Sequence, residues 1–223
     1  QDQWAVIRED RMGELLMQFA LQRFTKRPRF SELPRDIQLD VREFFSSYKN
    51  ACEQADKLLF QAGDMDAIDS AMIASPVGKR TGNALYVHVD ALHELPLLLR
   101  VYEGCAKAYI GDIVEANILK LHRQSPRVSY LQYPEFDTDP HPALAESFLV
   151  KMGGLRVSYR SYHDSLNPPI LHRKEEFVSL DDERWSPFHK LTVQEERWGL
   201  YKHPEHIGTS RGWQETLEAC GAA

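Results

Sequence analysis

The 223-residue sequence is long enough for one large domain or two small ones. Its 43% hydrophobic and 27% charged residues are typical of a globular protein. A net charge of −6 excludes a uniformly basic surface that would coat nucleic acid indiscriminately. The cysteines, Cys52, Cys105 and Cys220, are too few and too far apart for a disulfide framework, which favours a reducing compartment. Because no apolar run reaches the roughly 20 residues that span a bilayer, we expect a cytoplasmic protein without membrane partners.

Helical periodicity dominates the first 110 residues. The predicted helices are Asp2–Phe24, a second that starts at Ser31 and Pro34 and continues as an apolar stripe over Phe44–Leu59, a short one capped by Asp64 through Met72, and Leu92–Ile110. The stretch Ser75–Asn83 is rich in Pro, Gly and Ser and is interpreted as a loop. Residues 1–111 are therefore predicted to form a helical layer.

After residue 111 the hydrophobic period changes to two. The alternation predicts four strands, which are Asn117–Arg123, Arg127–Tyr133, Glu146–Met152 and Leu155–Tyr162. Gly153-Gly154 predicts a two-residue hairpin turn between the last two. In the last strand the apolar face of Leu155, Val157 and Tyr159 is expected to pack on the helices, while Arg156, Ser158 and Arg160 face away.

The tail returns to a helical pattern over Pro187–Tyr201 and Trp213–Cys220. Residues 112–223 are thus expected to hold antiparallel hairpins followed by C-terminal helices. The order of helices, hairpins and helices predicts an α+β fold, in which the helical layer packs on a small antiparallel sheet within one compact domain.

The charge is distributed unevenly along the chain. Gly111–Glu175 contains eight Lys or Arg against eight Asp or Glu, with four of the nine histidines, so this segment is neutral within an acidic chain. Lys120, His122 and Arg123 flank the first hairpin turn, and Tyr130 and Tyr133 follow on the next strand. Basic and aromatic residues interleaved on a sheet suit phosphate contact and base stacking. The alternative is ordinary cross-strand pairing on an exposed face.

A second cluster of charged groups lies in Leu171-His172-Arg173-Lys174-Glu175. These side chains can neutralise a phosphate or assist proton transfer, although a charged surface turn is an equal alternative. Asp137-x-Asp139-Pro-His141 also offers ligand types for a metal, but sequence spacing cannot show that ligands converge, and no metal is predicted.

Cofactor motifs are missing from the sequence. No G-x-G-x-x-G stands anywhere, and Ser75–Thr81 lacks the upstream glycine of a phosphate-binding loop, so no cofactor is predicted for this chain. Asn167-Pro168-Pro169-Ile170 is similar to the Asn-Pro-Pro-aromatic motif with which adenine-N6 methyltransferases hold a flipped base. Its fourth residue is aliphatic, which favours a rigid extended loop.

Several longer runs together resemble one family. They are Ser75-Pro-Val-Gly-Lys79, Leu85-Tyr-Val-His88, Leu97-Leu-Leu-Arg-Val-Tyr-Glu-Gly104, Lys120-Leu-His-Arg123, Val128-Ser-Tyr-Leu131, Asp139-Pro-His-Pro-Ala-Leu144, Asn167-Pro-Pro-Ile-Leu-His-Arg-Lys-Glu175 and Gln194-Glu-Glu-Arg197. This set is similar to the methyltransferase family associated with DNA phosphorothioation, from bacterial modification and defence gene neighbourhoods. The resemblance extends in order from about Arg23 to about Trp213.

The resemblance implies a context rather than an activity. In that family the methyl-donor domain, a Rossmann-like fold with an acidic-Gly-x-Gly motif, lies upstream of the region that this chain resembles. The chain begins at Gln1 without a methionine, and we expect it to be a carboxy-terminal fragment of such a protein. DNA modified by sulfur in its backbone is then the implied partner.

The resulting hypothesis is a DNA-contacting region that positions or recognises DNA for a methyltransferase domain. Phosphate contacts are assigned to Lys120, Arg123, Arg156 and Arg160, stacking to Tyr130 or Tyr133, and closure of the site to Arg173 and Lys174. Asn167 is a further predicted nucleic-acid-binding residue. One alternative is a phosphodiester-cleaving centre built from His122, His141, His163 and His172 with Arg173, Lys174 and Glu175. The other is a scaffold that docks protein partners of a defence complex.

Overall fold

The computed structural model describes residues 3–113 and 115–222 and has the α+β architecture expected from the sequence, with N-terminal helices, an antiparallel sheet and C-terminal helices. The chain forms two compact units. The first comprises the residues up to 74 together with 95–111, and the second comprises 75–94 together with the residues from 112 onward. Of the helices in the described ranges, none has the length and apolar character needed to cross a membrane.

The first unit is helical. Its helices are α1 (Gln3–Leu21), α2 (Arg35–Phe45), α3 (Tyr48–Gln61), α4 (Met65–Ile73) and α5 (Leu97–Ile110). Helix α1 packs against α3 and α5, and it buries Leu15 and Phe19 at the spacing of one helical face. The predicted start of α1 at Asp2 lies outside the described residues.

Local capping explains where these helices break. The predicted stripe Phe44–Leu59 is interrupted, because Ser46 has a left-handed φ of 61° and Ser47 then caps α3 by accepting a hydrogen bond from the amide of Asn50. Asp64 caps α4 as predicted, and its carboxylate accepts from the amides of Asp66 and Ala67. Pro96 ends the preceding turn, so α5 begins at Leu97 rather than at Leu92.

The second unit is built on a six-stranded antiparallel sheet in the order β1 to β6. The strands are β1 (Lys79–Arg80), β2 (Ala84–His88), β3 (Ile118–His122), β4 (Arg127–Gln132), β5 (Glu146–Lys151) and β6 (Arg156–Ser161), followed by α6 (Trp185–Arg197) and α7 (Ser210–Cys220). Strands β3 to β6 lie within the predicted ranges.

The interpretation of the first 110 residues as entirely helical is wrong, because β1 and β2 are the first two strands of the sheet. Gly78 starts β1 with a φ of +101°, and a Cβ at this position would lie 2.7 Å from the carbonyl oxygen of Tyr86. Only glycine fits both the left-handed conformation and this close approach. The segment that was interpreted as a loop therefore brings Lys79 into the sheet.

Two predictions about β6 are also wrong. The turn before it covers Met152–Leu155 instead of two glycines, since Leu155 adopts a left-handed φ of 45° and the ladder ends at the pair Lys151–Arg156. All six residues of β6 are exposed, so its apolar face is not buried as expected. The strand lies at the end of the strand order and pairs with β5.

The two faces of the sheet differ sharply in composition. One face, here called the apolar face, carries fully buried side chains on four adjacent strands, which are Leu85, Val87, Leu119, Leu121, Val128 and Val150. On the opposite face, Ile118 and Leu131 join a core cluster with Phe136, Phe177 and Phe188. This cluster covers one end of that face.

Candidate nucleic-acid interface

Strand register places basic residues on one side of the sheet. In antiparallel pairs, directly opposed residues share a face. Starting from the pair Lys79–Tyr86, the register runs through Lys120, Ser129, Leu149 and Ser158. Every second residue of a strand lies on the same face. This face therefore carries six basic residues and is called the basic face below. They are Lys79, Lys120, Arg127, Lys151, Arg156 and Arg160.

The basic face has no acidic counterpart within the strands. The one carboxylate of the six strands, Glu146, pairs with Gln132 and Ser161 and therefore belongs to the apolar face. Across the described ranges, Lys79 alone among the six basic residues forms a salt bridge, with Glu176 at 3.2 Å. Two of the other five, Lys120 and Arg160, lie over aromatic rings instead.

Three of these cations form a row across adjacent strands. Arg127 pairs with Lys151, and Lys151 pairs with Arg156. Since neighbouring strands lie about 4.8 Å apart, the row spans about 10 Å. Directly opposed like charges are destabilising in a sheet. The row therefore opposes the stability of this part of the sheet.

The pKa of His122 is lowered by its position on the basic face. Its Nε2 lies 2.9 Å from the hydroxyl of Ser129. Partial burial, and then the charges of Lys120 and Arg127, lower the pKa of His122 to about 4. The imidazole is consequently neutral at physiological pH.

The four residues predicted to contact phosphates lie on or beside the basic face. Lys120, Arg156 and Arg160 lie on the basic face, where Lys120 also lies 5.0 Å over the ring of Tyr86 and Arg160 lies 4.7 Å over the ring of Tyr162. Arg123 follows β3, and its guanidinium reaches the carbonyl of Gly82 at 3.5 Å. The role of these four residues in phosphate contact stays a prediction.

The predicted stacking residues are placed differently. Tyr130 is 7% exposed and Tyr133 is 4% exposed, so neither ring offers a free face to a base at the surface of the sheet. Tyr130 belongs to the apolar face, and Tyr133 belongs to the core cluster with Phe136. The assignment of base stacking to these two tyrosines is wrong, because tertiary packing covers both rings.

Lys174 has a structural position and cannot close a site. Its ammonium donates to the carbonyls of Phe136 and Asp139, both at 2.6 Å, and it lies 4.2 Å over the ring of Phe188. Burial lowers its pKa to about 8, an effect that the nearby Asp139 and Asp137 oppose. Its charge serves the loop carbonyls and does not face solvent.

Asn167 is also engaged within the fold. Its Oδ1 accepts a hydrogen bond from the amide of Arg211 in the first turn of α7 at 2.8 Å. The next residues form short bridges, Pro169 with Thr209 and Ile170 with Ala143. The Asn-Pro-Pro segment is thus an extended loop that holds a helix start, as its aliphatic fourth residue favoured.

Two of the four predicted catalytic histidines meet. The rings of His141 and His172 lie 4.7 Å apart and both pack on Trp213. Glu195 accepts hydrogen bonds from both sides, with its Oε1 2.7 Å from His141 Nε2 and its Oε2 2.6 Å from the hydroxyl of Tyr201. Burial raises the pKa of Glu195, but the hydrogen bonds from His141 and Tyr201 outweigh it and the net shift is downward.

His172 is held neutral by its surroundings. Its Nε2 donates to the carbonyl of Ile207 at 2.6 Å, and burial lowers its pKa to about 4. In the described chain its Nδ1 is buried without a hydrogen-bond partner. Arg173 follows with a left-handed φ of 56°, and its guanidinium lies 4.2 Å over Tyr201 and 2.7 Å from Glu196.

The other two histidines have separate partners. His122 bonds Ser129 on the basic face, whereas His163 lies 3.3 Å from Glu146, which also accepts from the hydroxyl of Tyr159. Within the described ranges, no group of three or more His, Cys, Asp or Glu side chains is placed to hold a metal ion. The convergence of four histidines that a cleavage centre would need is not found.

A cavity of about 640 Å³ opens beside the basic face. Lys79 and Tyr86 of the basic face form part of its wall, and Arg173, His172 and Tyr201 form another part. The hairpin of β1 and β2, the loop before α6 and the segment between α6 and α7 therefore line it. Its size is that of a small-molecule site.

Sequence reasoning missed three members of the basic face, Lys79, Arg127 and Lys151. Arg127 and Lys151 stood inside predicted strands, and the alternation of each strand could have assigned them a side. The predicted turn at Gly153-Gly154 already implies the observed pairing of Lys151 with Arg156, whereas the pairing of Arg127 with Lys151 joins strands that are separated by a long connection. Lys79 was not assigned to a strand because it stands in a segment that is rich in Pro, Gly and Ser.

In comparisons with known proteins, no family model, curated protein or solved structure matched this chain. The resemblance to the phosphorothioation-associated family stays a prediction from the quoted motifs. The site is therefore interpreted from its own geometry.

Proposed function

We propose that this chain contacts DNA through the basic face. The observation that carries the proposal is the gathering of six Lys and Arg side chains, with no strand carboxylate among them, on one face of the sheet in a chain of net charge −6. A local field of this sign is the electrostatic footprint of a nucleic-acid contact. An acidic total charge does not oppose it, because screening limits the distant carboxylates to a range of about 8 Å at physiological salt.

The contact that the geometry supports is with the phosphate backbone. Arg127, Lys151 and Arg156 span about 10 Å, a length that covers roughly three nucleotides at 3.4 Å per phosphate along one strand. With Tyr130 and Tyr133 buried, the basic face offers no exposed tyrosine from β4 for stacking. Backbone contacts fix position and orientation without reading sequence. This suits a region that positions DNA for a partner domain.

The family resemblance supplies the biological context of the proposal. A region that positions DNA for a methyltransferase domain fits a protein of phosphorothioate modification and bacterial defence. Whether sulfur in the backbone strengthens the contact is decided by comparing duplexes with normal and phosphorothioate linkages.

The test is a titration of the chain with matched short duplexes of both linkages at two salt concentrations. Lys151→Glu with Arg156→Glu should weaken duplex binding about 100-fold, since each substitution removes a charge-assisted contact. The slope of log K against log salt should fall by about 2. Preference for the phosphorothioate duplex would add recognition of the modification to the proposed contact.

The matched control is Arg35→Glu with Lys49→Glu. Both cations are exposed near the starts of α2 and α3, where a carboxylate is compatible with the helix dipole, and the change in net charge is the same. The control should bind within about twofold of the unmodified chain. Undetectable duplex binding at low salt, or equal losses in both variants, would overturn the proposal.

A further inference from the structure

The cavity beside the basic face combines flat rings with two cations. Tyr86 and Tyr201, both half-buried, contribute aromatic surface, and Lys79 and Arg173 contribute positive charge. Aromatic surface suits a nucleobase, and the two cations suit a phosphate. Pockets that bind small molecules typically have this mainly apolar wall with a few placed polar groups.

Both cations are positioned by the fold before any ligand arrives. Lys79 lies 5.3 Å over the ring of Phe177 and donates to the carbonyl of His172 at 3.2 Å. Arg173 lies 4.2 Å over Tyr201. The left-handed backbone of Arg173 is strained for a residue with a side chain, and such strain gathers at ligand sites.

The anions that now pair with these cations can be displaced. Glu176 lies 3.2 Å from Lys79, and Glu196 lies 2.7 Å from Arg173, with side-chain exposures of 37% and 48%. Ion pairs with such exposed partners contribute about 0–1 kcal/mol. A phosphate group carries more charge and more acceptor oxygens than one carboxylate, so it can replace both partners at little cost.

We propose that this cavity binds one nucleotide, with its base among the aromatic rings and its phosphate on Lys79 and Arg173. The nucleotide comes either from solution or from an unpaired position in a strand bound to the basic face. Lys79 and Tyr86 belong to both surfaces, so a strand on the basic face passes the mouth of the cavity. The second source rests on the DNA contact proposed above, whereas the first does not.

The first experiment is calorimetric titration of the full chain with deoxyadenosine monophosphate, which we expect to bind with a dissociation constant below about 1 mM. Lys79→Met keeps an apolar stem over Phe177, and Arg173→Asn tolerates the left-handed backbone. Each should weaken binding at least about tenfold, the loss of one charge-assisted contact. Thermal melting of both variants checks that the fold is kept.

The control is the Lys151→Glu, Arg156→Glu variant, whose substitutions lie outside the cavity wall. It should keep monophosphate affinity within about twofold while losing duplex affinity. Binding that survives in Lys79→Met and Arg173→Asn would place the nucleotide elsewhere and overturn the proposal. No monophosphate binding up to about 5 mM would also overturn it, while salt-sensitive duplex binding would leave the DNA contact standing.

A second titration separates the two sources. A duplex with one unpaired adenine is compared with its fully paired counterpart in the unmodified chain and in Arg173→Asn. A preference of at least about fivefold for the unpaired base, lost in Arg173→Asn, identifies the strand as the source. Equal affinity for both duplexes, together with binding of the monophosphate, identifies a free nucleotide.

Discussion

The two faces of the sheet are formed by the same strands but differ in burial and charge. The apolar face carries fully buried side chains on four strands, with residues such as Leu121 and Val128 at 0% exposure. The basic face places Arg127, Lys151 and Arg156 directly opposite one another. Burial of the first face stabilises the fold, whereas like charges on the second oppose it. We infer that stability is concentrated on one face and that binding is the role of the other.

The largest effect should come from the apolar face. Leu121→Ala removes a fully buried side chain and should lower the free energy of unfolding by about 2–5 kcal/mol. Denaturant titration measures this loss, and the molecules that remain folded should keep their duplex affinity. Ser158→Ala, on the exposed side of β6, serves as the control and should change stability by less than about 0.5 kcal/mol. Equal losses in the two variants would contradict the division of roles.

An intermediate effect should come from acidification, because His122 lies on the basic face with a pKa of about 4. The unfolded chain takes up this proton near pH 6.5, and the folded chain resists it until about pH 4. The stability associated with neutral His122 is complete above pH 6.5 and is lost as the pH falls toward 4. Allowing for solvent screening, we expect a loss of about 1–2 kcal/mol.

Thermal melting across pH 4–7 measures this loss for the chain and for two variants. His122→Gln should flatten the dependence by the expected amount, and His163→Gln, which changes an exposed histidine, should leave it intact. A profile that His122→Gln does not alter would show that burial and the neighbouring cations do not hold His122 neutral in the folded chain. A bound duplex should reduce the loss, since phosphates offset the neighbouring cations.

The smallest effect should come from removing the middle charge of the row, which should raise stability and weaken duplex binding. Lys151→Gln removes the middle charge of the row and should raise stability by about 0.5 kcal/mol through relief of repulsion. The same change should weaken duplex binding several-fold and lower the salt slope by about 1. Chemical denaturation and duplex titration test the two effects together. Lys190→Gln, on the exposed side of α6, should change neither, and a destabilised Lys151→Gln would show that the row supports the fold.

Local sequence signals predicted much of the secondary structure. Alternation identified β3 to β6, and the cap at Asp64 identified the start of α4, because both depend on residues close in the chain. Strand β2 was missed since Leu85 and Val87 stand in a five-residue run beside a Pro- and Gly-rich segment. Such a short run lacks the length that separates a strand from a helix segment.

The site was less predictable because it depends on distant contacts. Lys174 belongs to a charged run that is typical of a surface turn, yet its ammonium is satisfied by Phe136 and Asp139, more than thirty positions earlier. The pairing of His141 with His172 requires Trp213, which comes from a separate helix. Which residues share the basic face follows from register, and register depends on turn lengths that composition does not fix.

The open edge at β6 has a consequence for solubility. Val157 and Tyr159 are exposed there on a strand of six residues, a combination that invites another chain to add a strand and begin aggregation. Arg156 and Arg160 interrupt the apolar residues and act as gatekeepers against such growth. Neutral replacements would remove this protection, whereas glutamate would keep a charge at the edge. The charges of Arg156 and Arg160 thus limit strand addition at this edge independently of the proposed DNA contact.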